Sequence, residues 1–501
     1  MKRSKSEPKS ENKPGKRSER GGQPLNEVKL ILVGRGGVGK ASIAKRLVGK
    51  PFDPHESETS GISITPWMQR CGNETVRLHI WDFAGQEILH STHQFFLSPH
   101  SVYLVVVSGR EGLAEIDADY WLRLIRSFGG DSPVIVVLNK IRDHPFAIDR
   151  YALQEKHPSI RAFIETDCVV NTGIPALREA ISGTVADMAS VHALFPTKWI
   201  GIKNSLAAMR ENYLSYDSFR ELCATHGEID SRAQDALAEI LHQLGVALHF
   251  RDDARLRQST VLNPNWVTNG IYTILRADIR GRAPGELRLE DLALLLPGES
   301  PPMREYLVEL MRRFELCFPI GDKSEAYLVP EKLASFQPAL DPAWSDDKNA
   351  LRLRYRYVVL PPGLMPRFIV RTYLLSEGHE RWRNGVILEF EGATALVRST
   401  VLQEQRVEVV VRDAPNVQQR LIGVIRENFE WIHSDAVELR AIKEIEIAGQ
   451  PGFYQSVVAL SQGEASTPLV TIPTDSGDEK WTPSFGQENA EIKLGSQALR
   501  D

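Results

Sequence analysis

Apolar and polar positions along the chain switch between two periods. Val28 to Val33 is a largely apolar, partly β-branched run that reads as a buried strand, and Ile43, Ala44 and Leu47 then recur at helical spacing. Val76 to Trp81 alternates apolar residues with Arg77 and His79 and stops at Asp82. Val134 to Leu138 is a continuous apolar run of the kind found in central parallel strands. A helix from Pro175 puts Leu177, Ala180 and Ile181 on one face. Strands and helices in this order predict an α/β domain with a parallel-rich sheet over residues 27–190.

From Phe195 onward the pattern changes. Ser231-x-x-Gln234 reads as a capping box, followed by Ala233, Leu237, Ile240, Leu241 and Leu244 at helical spacing and a stop at Gly245. Val246 to Phe250 reads as a strand with Val261-Leu262 as its hairpin partner, so a winged-helix-like unit is expected within residues 191–345. Residues 346–460 predict a separate α+β lobe. Its strands are Leu351 to Leu360, Phe368 to Leu375, Gly385 to Phe390, Thr394 to Arg398 and Arg406 to Val411, with a covering helix from Val417 to Phe429.

Three short motifs give the first domain a chemistry. Gly34-Arg35-Gly36-Gly37-Val38-Gly39-Lys40 lies between the first strand and the first helix. On such a turn the backbone N–H groups of Gly34, Gly36, Gly37, Val38 and Gly39 crowd around phosphate oxygens while Lys40 reaches the β- and γ-phosphates. Asp82-Phe83-Ala84-Gly85-Gln86 starts 42 residues after Lys40, and Asn139-Lys140 starts 57 residues after Asp82. Asp82, at a strand tip, is placed to serve Mg²⁺; the Gly85 N–H would sense the γ-phosphate and Gln86 would orient the attacking water. Thr59 reads either as a switch threonine that joins Mg²⁺ in the triphosphate state or as a turn residue. Asn139 and Lys140 would contact the base, and the Cys168 N–H would reach its carbonyl oxygen.

The chain here resembles a known family. Trp81 to Ile88 and Thr92-His93-Gln94-Phe95-Phe96-Leu97 are similar to the Roc domain of Roco proteins, a Ras-like P-loop GTPase. Phe195-Pro196-x-x-Trp199, Leu241-His242-x-Leu244-Gly245, Leu262-Asn263-Pro264-x-Trp266-Val267 and Arg367-Phe368-Ile369-Val370-Arg371 resemble the COR region that follows Roc. The likeness runs over roughly residues 27–460. It implies GTP/GDP and Mg²⁺ as ligands, hydrolysis of GTP, and homodimerisation through COR. His93 and Arg110 are candidates for a place near the γ-phosphate or at a domain contact.

Two departures qualify this. The Ser or Thr that follows the P-loop lysine, a Mg²⁺ ligand through its hydroxyl, is replaced by Ala41. Ser42, about 100° further round the helix, is better placed for the α-phosphate. The family's Asn-Lys-x-Asp also has Arg142 where its guanine-reading Asp belongs, with Asp143 one residue late. Arg has only donors to offer guanine's donors. Either a one-residue bulge brings Asp143 into place or guanine discrimination weakens. Slow hydrolysis is expected, and a nucleotide-binding or nucleotide-free scaffold is the alternative.

Composition adds limits. At 501 residues with a net charge of -5, the chain has room for about three domains and carries no overall signal for nucleic acid. The four cysteines lack metal-ligand spacing, which fits reduced thiols and a cytoplasmic location. No apolar run is long enough to span a bilayer. Residues 1–26 read as a disordered basic tail that leaves open a weak contact with an anionic membrane, and 461–501 as a second flexible tail. No protein-kinase catalytic loop and no leucine-repeat period is present, so an unidentified protein partner is expected.

Overall fold

The protein is described by a computed structural model covering residues 22–55, 62–83, 96–112, 114–250, 256, 259–261, 263–279, 281–320, 325–357, 360, 363–400, 405–434, 441–446, 454–456, 471–472 and 479–480. The chain groups into two compact units. One holds Met1–Ala84, Ser98–Ala114 and Asp131–Asn269; the other holds Gly85–Leu97, Glu115–Gly130 and Gly270–Asp501.

As far as residue 186 the strands are β1 (Gly22–Pro24), β2 (Glu27–Val33), β3 (Ile62–Cys71), β4 (Glu74–Phe83), β5 (Val102–Ser108), β6 (Val134–Asn139) and β7 (Ile160–Thr166). The helices are α1 (Lys40–Leu47), α2 (Ala114–Gly129), α3 (Arg150–Lys156) and α4 (Ile174–Ala186), with α2 almost wholly in the second unit. Six strands form one sheet in the order β3-β4-β2-β5-β6-β7. Its pairs are parallel apart from β3 with β4, so the sheet is parallel-rich as expected, while the antiparallel β3 is not anticipated by the sequence pattern. On one face Leu30, Leu32, Leu78 and Ile80 bury against Ile43 and Leu47 of α1 and Leu177 and Ile181 of α4. Each such side chain contributes about 1.5–3 kcal/mol.

The other face of β2 and β4 carries Lys29, Ile31 and Trp81, with the Lys29 ammonium 3.9 Å from the centroid of the Trp81 ring. Burial pushes the Lys29 pKa from 10.5 down to about 7. The folded chain therefore sheds a proton that the unfolded chain keeps until near pH 10.5, and stability rises as pH climbs through that window. Lys29→Met should raise stability by about 2–4 kcal/mol at pH 6, with the gain shrinking toward pH 10. Urea denaturation at both pH values checks this; an equal gain at both would refute the titration.

Strand β1 pairs antiparallel with β8 (Leu194–Pro196). Gly22–Pro24, which the charge pattern assigns to the basic tail, thus has a ladder partner distant in sequence. Next come α5 (Thr197–Ala208), β9 (Tyr213–Ser215), α6 (Tyr216–Thr225), α7 (Ser231–Gln243), β10 (Leu248–His249) and β11 (Ser259–Val261). The three strands form a small sheet in the order β10-β11-β9, and Ile202, Leu206, Phe219, Leu237 and Leu241 make the core beside it. This is the winged-helix-like unit. Its capping box is a correction: the cap is Asp230, whose carboxylate accepts from the Arg232 N–H, and Ser231 is already helical. Gln234 turns instead to the Glu228 carbonyl, because burial at that position demands a partner.

After α8 (Pro264–Arg276), the second unit holds β12 (Glu286–Arg288), α9 (Asp291–Leu295), α10 (Pro301–Arg313), β13 (Phe318–Ile320) and β14 (Ala326–Leu328), whose strands order as β12-β14-β13. Beyond them lie α11 (Ala343–Asp346), β15 (Leu351–Arg356), α12 (Leu364–Arg371), β16 (Arg381–Trp382), β17 (Gly385–Phe390), β18 (Ala393–Thr400), β19 (Arg406–Arg412), α13 (Pro415–Ser434), β20 (Ile442–Glu446) and β21 (Tyr454–Ser456). Seven strands form an antiparallel sheet in the order β16-β17-β18-β19-β15-β20-β21. An α+β lobe is present as expected, but its first strand ends at Arg356, strands β16, β20 and β21 are not anticipated by the sequence pattern, and the strand expected at Phe368 to Leu375 is helical. That segment is the end of α12 and a following 3₁₀ turn. Phe368-Ile369-Val370 has β propensity, but helical spacing lets Leu364 and Phe368 bury together, with Phe368 stacked 4.4 Å from Phe429 of α13. The same spacing brings Arg367 and Arg371 onto the two oxygens of Glu315. Tertiary packing overrides local propensity here.

Candidate functional site

The site is built where β2, β4 and β6 end. Leaving β2, the chain turns through Gly34, Gly37 and Gly39 with φ of 147°, 75° and 98°, then enters α1 at Lys40. Two of these glycines are required sterically. A Cβ on Gly34 would lie 2.3 Å from the Val106 carbonyl oxygen, and one on Gly39 would lie 2.4 Å from Asn139 Nδ2. Gly36 and Gly37 are exposed, as a phosphate cradle needs, while Val38 and Lys40 are buried. Lys40 Nζ donates to the carbonyls of Gly34 at 2.7 Å and Arg35 at 2.8 Å, so its ammonium is held inside the loop.

The third motif braces the first. Asn139 Nδ2 donates to the Val38 carbonyl at 2.9 Å, and Lys140 Nζ donates to the Gly37 carbonyl at 2.7 Å. Asn139 Oδ1 in turn accepts from Thr166 Oγ1 at 3.0 Å and from Cys168 Sγ at 3.7 Å. Burial pushes the Cys168 thiol up to about 12, which keeps it a neutral donor. Sequence reasoning missed two supports. Arg46 of α1 donates from Nε to the Cys168 carbonyl at 2.8 Å and from Nη2 to the Val169 carbonyl at 3.1 Å. Thr166, at the end of β7, orients Asn139. Neither belongs to a motif, and both act across more than 25 residues of sequence, with 122 between Arg46 and Cys168 and 27 between Thr166 and Asn139.

Asp82 is buried next to the end of β4, and Leu32 of β2 pairs beside it. Ala41 and Ser42 occupy the first turn of α1, both half-buried. Arg110 Nη1 lies 3.6 Å from where a Cβ on Gly37 would stand, so this guanidinium overhangs the loop. Arg142 and Asp143 are exposed, and Arg142 Nε donates to Asp143 Oδ1 at 3.3 Å. The turn that carries them closes with a 2.9 Å bond from the His144 N–H to the Lys140 carbonyl. Thr59, Gly85, Gln86 and His93 lie outside the described residues.

This donor set suits the phosphates of a nucleotide: a glycine-lined loop at a helix N-terminus, a buried lysine and an overhanging arginine. It suits Mg²⁺ less completely. Asp82 offers a carboxylate, but the Ala41 methyl stands where a hydroxyl ligand would be needed. Among the described residues no group of three or more His, Cys, Asp or Glu is placed to hold a metal. No described helix is long and apolar enough to cross a membrane.

Comparison with known proteins agrees with the geometry. Residues 29–142 match the family model "Ras of Complex, Roc, domain of DAPkinase". Residues 196–333 match "C-terminal of Roc, COR-A domain" and 348–466 match "C-terminal of Roc, COR-B domain". The solved structure of Methanosarcina barkeri Roco2 RocCORdC bound to GDP is 38% identical with a TM-score of 0.57, the match covering 64% of this chain and 99% of that one. Among curated relatives, a Roc-COR-CHAT protease of Runella zeae is 27% identical over 74% of this chain. The probable serine/threonine-protein kinase pats1 of Dictyostelium discoideum is 26% identical over 75% of it. The chain spans only 42% of the length of the first and 13% of the second. A phosphate loop braced by its base-side motif, followed in order by COR-A and COR-B, places the chain in the Roco family of Roc-COR proteins.

Proposed function

We propose that the chain is a guanine-nucleotide switch that hydrolyses GTP slowly to GDP and phosphate and pairs with a second copy through COR. The observation that carries this is the loop itself: Lys40, Asn139 and Lys140 all bond to its carbonyls, so the cradle is formed before a nucleotide arrives. GDP in the related Methanosarcina structure supports the same reading. Bound Mg²⁺ would neutralise charge between the β- and γ-phosphates. In this chain Asp82, with Thr59, would hold the metal. Gln86 would orient the water, and Lys40 would draw the phosphate oxygens into the loop. Ser42 would meet the α-phosphate, and Arg110 would add positive charge over the loop. Asn139 and Lys140 would fix the base, with the Cys168 N–H at its carbonyl.

A second reading, a nucleotide-binding scaffold without turnover, is favoured by Ala41 and by the Arg142–Asp143 pair, which leaves Asp143 engaged with its neighbour. Nucleic-acid binding through the winged unit is disfavoured, since Asp235 of α7 is tied to Tyr216 and Arg220 rather than presenting a basic face. A cytoplasmic location and an unidentified protein partner complete the proposal.

Titration with fluorescent GTP, GDP and ATP, with and without Mg²⁺, followed by phosphate release, tests it. Guanine nucleotides should bind with little help from Mg²⁺ and release phosphate slowly. Arg142→Asp should raise the preference for GTP over ATP about 10- to 100-fold, the worth of a charged bidentate contact. ATP binding as tightly as GTP in that variant too would remove the case for a guanine switch. Binding without any release would establish the scaffold.

A further inference from the structure

The turn that ends α7 is built against both flanks of the segment 84–95, which carries Gly85 and Gln86. On the near flank is Trp81, fully buried and one residue before Asp82. Successive side chains on a strand point to opposite faces, so Asp82 and Trp81 share one short piece of backbone and look opposite ways. The indole edge reaches Gly245, just beyond α7, where a Cβ would stand 2.4 Å from Trp81 Cζ2 and where φ is +67°. Glycine is needed there twice over: for its left-handed conformation, and to leave room for the ring. The Gly245 N–H also closes the helix on the His242 carbonyl at 2.9 Å, so the ring presses on the capping turn itself.

On the far flank is Ser98. Its Oγ donates to the carbonyl of Gln243, the last residue of α7, at 3.2 Å. Its own backbone is fixed at both ends, since its N–H donates to Tyr103 Oη and its carbonyl accepts from the same hydroxyl, each at 2.9 Å. Residues 243–245 of the winged unit thus meet Trp81 and Ser98, which lie on either side of 84–95 in the sequence.

We infer that the α7 C-terminal turn receives the nucleotide state: Trp81, seated on Gly245, and Ser98, bonded to Gln243, couple the Asp82 side of the site to COR-A. This rests on the reading of the site as a nucleotide switch. A displacement of the β4 end moves the indole, and the indole has no slack against the bare Cα of Gly245, so the helix turn must follow. The coupling is reciprocal by linkage: whatever repositions α7 alters the relative affinities for diphosphate and triphosphate.

Hydrogen exchange on the full chain, with GDP and with a non-hydrolysable GTP analogue, separates the two readings. Amides of α1 report binding, and those of Leu241 to Gly245 report the receiver. In the native chain both nucleotides should protect α1, and exchange in the α7 turn should differ between them by roughly fivefold or more, the lower end of common coupling strengths. Trp81→Phe, which withdraws the six-membered ring edge, and Ser98→Ala should each shrink that difference at least twofold while α1 protection persists. Gly245→Ala should shift the ratio of analogue to GDP affinity. Protection of α1 with no nucleotide-dependent change in the α7 turn overturns this inference alone. No protection of α1 overturns it together with the switch reading.

Discussion

Lys40→Ala lowers the affinity for GDP and GTP by about 100- to 1,000-fold, as one or two charge-assisted hydrogen bonds of about 1.5–3 kcal/mol each are lost. The loss has two sources. The ammonium would have met phosphate oxygens directly, and before binding it ties together the Gly34 and Arg35 carbonyls of the loop. Without it, two carbonyls are released and the loop must be ordered at the expense of binding energy. Calorimetric titration with GDP in the absence of Mg²⁺ isolates the effect from metal. An affinity within threefold of the native chain would mean that nucleotide is held elsewhere.

Ala41→Thr acts in the opposite direction. Restoring a hydroxyl on the first turn of α1 would supply the oxygen ligand that near-octahedral Mg²⁺ demands and that Ala41 lacks. Phosphate release should rise about 10- to 100-fold, and the Mg²⁺ concentration for half-maximal rate should fall. The double readout matters, because a variant that merely tightened nucleotide binding would alter the first without the second. Ala41→Val, equal in shape and lacking the oxygen, should reproduce neither. A native chain already as fast as the Thr variant would show that Asp82 and water suffice.

Much of the first domain could be read from the chain because its information is local. Val28 to Val33 is apolar but for Lys29 and Val134 to Leu138 is apolar on both faces; the first runs into the glycine loop and the second ends at Asn139. The fate of Phe368 to Leu375 could not be read this way. Its β-branched run and its helical burial pattern coexist, and only the partners Phe429 and Glu315, distant in sequence, decide between them. The same holds in the site. Lys40 and Asn139 stand in motifs; Arg46 and Thr166, which bond the Cys168 carbonyl and orient Asn139, are ordinary residues until the chain is folded. Asp230 rather than Ser231 caps α7 for a related reason: either residue satisfies the local rule, and the depth of burial of Gln234 selects the register.

The short ladder between Gly22–Pro24 and Leu194–Pro196 bears on how fragments of this protein behave. The matched Roc and COR-A segments begin at residues 29 and 196. A piece that begins at residue 29 lacks Gly22–Pro24 and leaves Leu194–Pro196 without that ladder. Its severed strand then presents unpaired amide and carbonyl groups, which are a template for pairing with another chain. Self-association of such an isolated domain would report the wound left by the cut, and only the undivided chain can show whether its copies meet through COR.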